Sequence, residues 1–255
     1  MCSWELGKGL ATAVDAQSHS NQVVGFAPGQ GRTYSAGWDD MLHAIDESSP
    51  ALDGAKAKLD AQPKDLSASN GRVYVATASG VAVYENDRLL KETALPFAPT
   101  AIAAHEPHVA VGADQKVLIY ETDAAGSLRE THTLTKSTSQ ISSLSFSPDG
   151  AHLAAGNAVG KIVVYKSDGS WEVATDRWSA HTARVTCVAW NDEGTHAASG
   201  ALDTNVHVWS LAKPGSRIKA GNAHKDGVNG VVWVGGQVVS SGGDAAVKVW
   251  DVKLQ

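Results

Sequence analysis

The stretch Ser199-Gly200-Ala201-Leu202-Asp203-Thr204-Asn205-Val206-His207-Val208-Trp209 reads as the end of one strand, a turn and a second strand. It decides the fold because the chain writes it again 41 residues later. That second copy is Ser240-Ser241-Gly242-Gly243-Asp244-Ala245-Ala246-Val247-Lys248-Val249-Trp250, with the same Ser-to-Asp spacing of 4 and Asp-to-Trp spacing of 6. Asp, Asn and Gly supply turn chemistry in the middle of each copy, and Val-x-Val-Trp supplies the alternating β-branched pattern of a strand. A histidine precedes each, His181 and His224. His19, Ser35 and Asp39 form a weaker upstream copy in which Ile45 takes the Trp slot.

Working outward, Tyr84, Tyr120 and Tyr165 end runs of the same kind: Val81-Ala82-Val83-Tyr84, Val117-Leu118-Ile119-Tyr120 and Ile162-Val163-Val164-Tyr165. With Trp209 and Trp250 the intervals are 36, 45, 44 and 41 residues. A second aromatic series, Phe146, Trp190 and Trp233, lies about 19 residues upstream of the first and marks another strand per repeat. Turns are expected at Gly29-Gln30-Gly31, Ser147-Pro148-Asp149-Gly150 and Asn191-Asp192-Glu193-Gly194. Four short strands in each repeat of roughly 40–45 residues resemble β-propeller blades of the WD40 kind. The resemblance rests on His181, Ser199, Asp203 and Trp209, on His224, Ser240, Asp244 and Trp250, and on the dipeptide Trp250-Asp251.

The chain of 255 residues then holds a single all-β propeller domain, 1–255, with about six blades of four antiparallel strands. The repeats fall near 17–60, 61–96, 97–135, 136–178, 179–222 and 223–255. Residues 1–16 read as a partial blade in which Ser3-Trp4-Glu5 ends a third strand and Leu10 to Val14 is the fourth. The last repeat lacks an outer strand. The expectation is that Leu10 to Val14 pairs with the strand ending at Trp250-Asp251 and seals the ring, a fragment or shortened form of a seven-bladed parent.

Composition bounds the partners. With 21 Lys+Arg against 27 Asp+Glu, a net charge of −6 and no basic cluster, neither nucleic acid nor an anionic membrane is an expected partner. Cys2 and Cys187 make neither a disulfide framework nor a metal knuckle, there is no glycosylation sequon, and a cytoplasmic location is expected.

Several local motifs allow a narrower resemblance. Lys58-Leu59-Asp60-Ala61-Gln62-Pro63-Lys64, then Ala197 to Leu211 and then Asp244 to Trp250 resemble the second propeller of the actin-interacting protein 1 family, and Ser35-Ala36-Gly37-Trp38-Asp39-Asp40 fits the same register. That resemblance implies a cytoskeletal interaction protein without catalytic chemistry, working on actin filaments together with cofilin. The alternative is a WD40 scaffold or adaptor for another multiprotein complex.

No catalytic residue, cofactor or metal is expected. Ser199, His181 and Asp203 have the residue types of a hydrolase triad, yet no nucleophile elbow surrounds the serine, and the repetition at Ser240 fits a structural network better. His105-Glu106-Pro107-His108 pairs two imidazoles, but Pro107 forbids the helix on which they would converge, so a strand-to-strand turn is expected. The candidate partner-binding residues are loop residues. Trp38 stands out of the aromatic register, where Leu202 and Gly243 occupy matching slots, and Gln115, Arg184 and Lys225 fall in equivalent loops. Trp171 and Trp178 are expected at an outer edge.

Overall fold

The computed structural model describes residues 2–4, 11–13, 18–46 and 56–254. The regular structure in these residues is β-strand throughout, and no helix occurs among them. The strands form five four-stranded antiparallel sheets and one three-stranded sheet, six blades of an all-β propeller, with a separate two-stranded pair. The chain divides into two compact units, Met1–Pro99, Ala104–Pro107 and Thr122–Arg129 in one and Thr100–Ala103, His108–Glu121 and Glu130–Gln255 in the other.

In the first unit, β1 (Cys2–Trp4) and β2 (Ala11–Ala13) pair with Trp4 opposite Ala11. Blade one is β3 (Val23–Pro28), β4 (Arg32–Gly37), β5 (Met41–Asp46) and β6 (Lys56–Lys58). Blade two is β7 (Pro63–Ser69), β8 (Arg72–Thr77), β9 (Gly80–Glu85) and β10 (Arg88–Ala94). Alternation along these strands turns Leu42, Leu66, Val73, Val75 and Tyr84 into one core cluster with Leu59. Arg72 ties down the 122–129 segment by donating to the carbonyl oxygens of Asp123 and Ala124 at 2.8 and 2.9 Å.

Blade three is β11 (Ala101–His105), β12 (His108–Gly112), β13 (Val117–Thr122) and β14 (Leu128–Leu134). In the second unit, blade four is β15 (Ile141–Phe146), β16 (His152–Asn157), β17 (Lys161–Lys166) and β18 (Val173–Ser179). Blade five is β19 (Val185–Trp190), β20 (His196–Ala201), β21 (Val206–Ser210) and β22 (Arg217–Ala220). Blade six has β23 (Val228–Val234), β24 (Gln237–Gly242) and β25 (Val247–Asp251).

Blades four to six show what the second aromatic series is for. Trp190 Nε1 donates to the Ser145 carbonyl at 3.0 Å, and Trp233 Nε1 to the Ala189 carbonyl at 3.1 Å, so each indole reaches back to the first strand of the preceding blade. Ser142 and Thr186 hydroxyls reach forward, donating to the carbonyl oxygens of Val185 and Val228 at 2.6 and 2.5 Å. The approach is close enough to require glycine: a Cβ on Gly156 would stand 2.7 Å from Val185 Cγ1.

Among the described residues β2 pairs with β1, and β25 with β24, while the expected pairing of Leu10–Val14 with the Trp250-Asp251 strand lies partly outside the described residues. Trp171 precedes the outer strand β18 and Trp178 lies on it, as expected, and both pack inward. Trp178 is fully buried and stacks on Trp209, centroids 5.8 Å apart and planes 16° apart, at the core between blades four and five. Trp171 is buried against Phe146, in a T-shaped contact at 6.4 Å.

Candidate functional site

The loops that precede each first strand meet the turns between second and third strands through the repeated histidines. His181 Nδ1 lies 3.0 Å from both oxygens of Asp203, and its Nε2 lies 2.8 Å from Ser199 Oγ. Trp209 Nε1 donates to the same hydroxyl at 2.8 Å. A carboxylate can only accept, so His181 carries its proton on Nδ1 and accepts the Ser199 hydroxyl proton on Nε2. Blade six repeats the geometry: His224 to Asp244 at 2.8 Å, His224 to Ser240 at 2.8 Å and Trp250 to Ser240 at 2.8 Å. In blade one His19 lies 2.7 Å from Asp39 and 3.0 Å from Ser35, and Ile45 offers no indole donor.

Backbone amides complete each carboxylate. Thr182 and Asn205 donate to Asp203 at 2.9 and 3.1 Å, and Lys225 donates to Asp244 at 3.0 Å. The bond to His224 and the Lys225 amide pull the Asp244 carboxyl down to about 2. Burial pushes Asp203 upward, but the Thr182 and Asn205 amides together with His181 outweigh it and leave it below the ordinary range. Burial lowers His181, against the opposing pull of Asp203.

This arrangement clamps a loop to a turn. Ser199 has no exposed surface and its oxygen is already engaged by two ring nitrogens, which leaves no room for a carbonyl to be attacked. The His105-Glu106-Pro107-His108 segment is the turn between β11 and β12; Glu106 accepts the Tyr74 hydroxyl at 2.5 Å, and the His108 ring meets Trp171 edge-on at 5.2 Å.

Blade four keeps the clamp with other chemistry, which the sequence reading missed. Asn157 accepts the amides of Val159 and Lys161 at 3.1 and 3.0 Å and donates to Ser137 Oγ at 3.2 Å. In blade two Thr77 Oγ1 accepts the Gly80 amide at 3.2 Å. The visible signal was a short polar residue, Thr77 or Asn157, ending β8 and β16 just before a turn.

The four loop candidates lie in turns and loops of four different blades. Trp38 lies in the β4–β5 turn, 42% exposed, with its amide bonded to the Gln22 carbonyl at 2.8 Å. Leu202 occupies the matching turn of blade five and is 51% exposed, so the same slot shows an apolar side chain to solvent in both blades. Gln115, with φ of 58°, lies in the β12–β13 turn; Arg184 and Lys225 lie in the loops before β19 and β23; and all three are exposed.

The family model "WD domain, G-beta repeat" matches residues 128–170, 172–210 and 215–251. Each matched segment opens on or just before the outer strand of one blade and closes at or after the third strand of the next, so a sequence repeat staples two neighbouring sheets. A computationally designed protein solved by crystallography superposes with a TM-score of 0.70 at 21% identity, over 98% of this chain and 76% of that one. This chain is a WD40-repeat β-propeller.

Its relatives are longer. The propeller is 34% identical to an uncharacterised WD repeat-containing protein of Schizosaccharomyces pombe over 98% of this chain and 42% of that one. It is 32% identical to actin-interacting protein 1 of Caenorhabditis elegans, over 98% of this chain and 43% of that one, and 29% identical to the Drosophila melanogaster protein of the same name. The chain thus spans about two fifths of the length of these relatives. The Caenorhabditis elegans and Drosophila melanogaster relatives are named for interaction with actin, and among the described residues no helix is long and apolar enough to cross a membrane.

Proposed function

We propose that this propeller is a non-catalytic interaction module of an actin-filament factor, acting on filaments together with cofilin at the cytoskeleton. The observation that carries the proposal is the alignment to actin-interacting protein 1 over 98% of the chain at 32% identity. The physical complement is a scaffold whose polar groups are used internally at the tetrads while loop residues remain open to solvent. Trp38 is the proposed aromatic anchor, and Gln115, Arg184 and Lys225 are the proposed polar contacts; an exposed Trp in a rigid turn is the residue type that dominates binding energy at interfaces. Cosedimentation with actin filaments, with and without cofilin, tests this. Pelleting that rises with filament concentration and increases with cofilin supports the proposal; a propeller that stays in the supernatant under both conditions rejects it and favours a scaffold for another complex.

A further inference from the structure

His207 on β21 stands directly opposite Ser199 of β20 and is 1% exposed, yet neither ring nitrogen has a hydrogen-bond partner. A buried imidazole in that state forfeits bonds that water would give it. Its ring centroid lies 4.4 Å from that of His181, at 65°. One ligand atom each from His181, Asp203 and His207 fall within 4.8 Å of one another.

Blade six fills the same slot differently. Lys248 stands opposite Ser240, four residues after Asp244 as His207 is four after Asp203, and its ammonium donates to the carbonyl of Ala223, beside His224. One repeat thus sets a cation of its own beside the His–Asp pair, where the other sets an unpartnered neutral imidazole.

We propose that His181, Asp203 and His207 form a site for a divalent transition-metal ion of the zinc class, held by two imidazole nitrogens and one carboxylate oxygen. Nitrogen and carboxylate donors at roughly 2.0–2.2 Å from such an ion suit zinc. The 3.0 Å between His181 Nδ1 and Asp203 is close to the separation of two donors on one small ion. To coordinate, His181 moves its single ring proton from Nδ1 to Nε2, where it is donated to Ser199 Oγ, and the Nδ1 lone pair goes to the metal. The outer shell for this exists already: Ser199 fixes the His181 ring, and the Thr182 and Asn205 amides fix Asp203. Arg217 and Lys219, opposite Trp209 and His207 on β22, are the charges that oppose a cation here, and they weaken the site without removing a ligand.

The test uses the full chain, stripped by a chelator and titrated with Co2+ while the visible d–d absorption is followed. His207→Lys installs the blade-six residue, and His207→Phe keeps ring volume without donors, so at least one non-ligating variant should fold. Wild type should bind one more equivalent than the folded variant, with affinity for that equivalent weakened more than about a hundredfold by the substitution. Equal cobalt uptake by wild type and variant, or no uptake by wild type, overturns the site. X-ray absorption at the zinc edge of the loaded wild type should show two imidazoles per ion, and a shell without imidazole overturns it independently of any variant.

Discussion

Trp209 donates its indole N–H to the hydroxyl of Ser199 across 2.8 Å, deep in blade five. The bond links the apolar core to the loop end, because the same hydroxyl holds His181 and His181 holds Asp203 in the turn. A member removed from such a chain leaves a buried partner unpaired.

Asp203→Ala should cost about 1–3 kcal/mol and Asp244→Ala less, because Asp203 is the more buried. In a chain of this size that lowers the melting temperature by roughly 2–4 °C per kcal/mol. Differential scanning calorimetry reads this. An unchanged melting temperature would mean the carboxylates do not clamp the loops.

Trp178→Ala should be far worse, at about 3–5 kcal/mol, since it removes a fully buried ring stacked on Trp209. Denaturant unfolding followed by tryptophan fluorescence measures it. Trp178→Phe should recover much of the loss, because Trp178 Nε1 makes no hydrogen bond that phenylalanine would forfeit.

Acid should destabilise the metal-free propeller in two stages. His207 falls from 6.5 to about 4 on folding, so between those values the unfolded chain binds a proton that the folded one refuses. The stability is fully present above pH 6.5 and declines as pH falls to about 4, by on the order of 3 kcal/mol at most. Asp244, depressed from 3.8 to about 2, extends the loss below pH 3.8. Urea midpoints across pH 4–7 should show the first stage in wild type and a shallower slope in His207→Phe; parallel slopes would contradict the assignment.

Trp38→Ala should leave the stability within about 0.5 kcal/mol of wild type, because the ring is 42% exposed. Pelleting with filaments and cofilin should weaken all the same. A large loss of stability would show that Trp38 is structural.

Blades and tetrads were legible because each is written as spacing: Ser to Asp by four, Asp to Trp by six, aromatic strand ends at intervals of 36 to 45. Period-2 alternation then assigned the faces. What stayed hidden depends on distance in space rather than on order along the chain. The burial of Trp178 is set by Trp209 and Trp190 of blade five, and no local pattern states that. Asn157 escaped because it does the work of a histidine–aspartate pair with one amide. His207 escaped because a histidine in a strand shows neither its lack of partners nor its distance from His181 until the blades are placed.

The proposed role as an actin-filament interaction module with cofilin is tested most directly by watching single filaments shorten. Fluorescent filaments decorated with a fixed amount of cofilin should disassemble faster as the propeller is added, and Trp38→Ala should blunt the effect. Filament lifetimes unchanged by the propeller across that titration, with cofilin bound throughout, would contradict it.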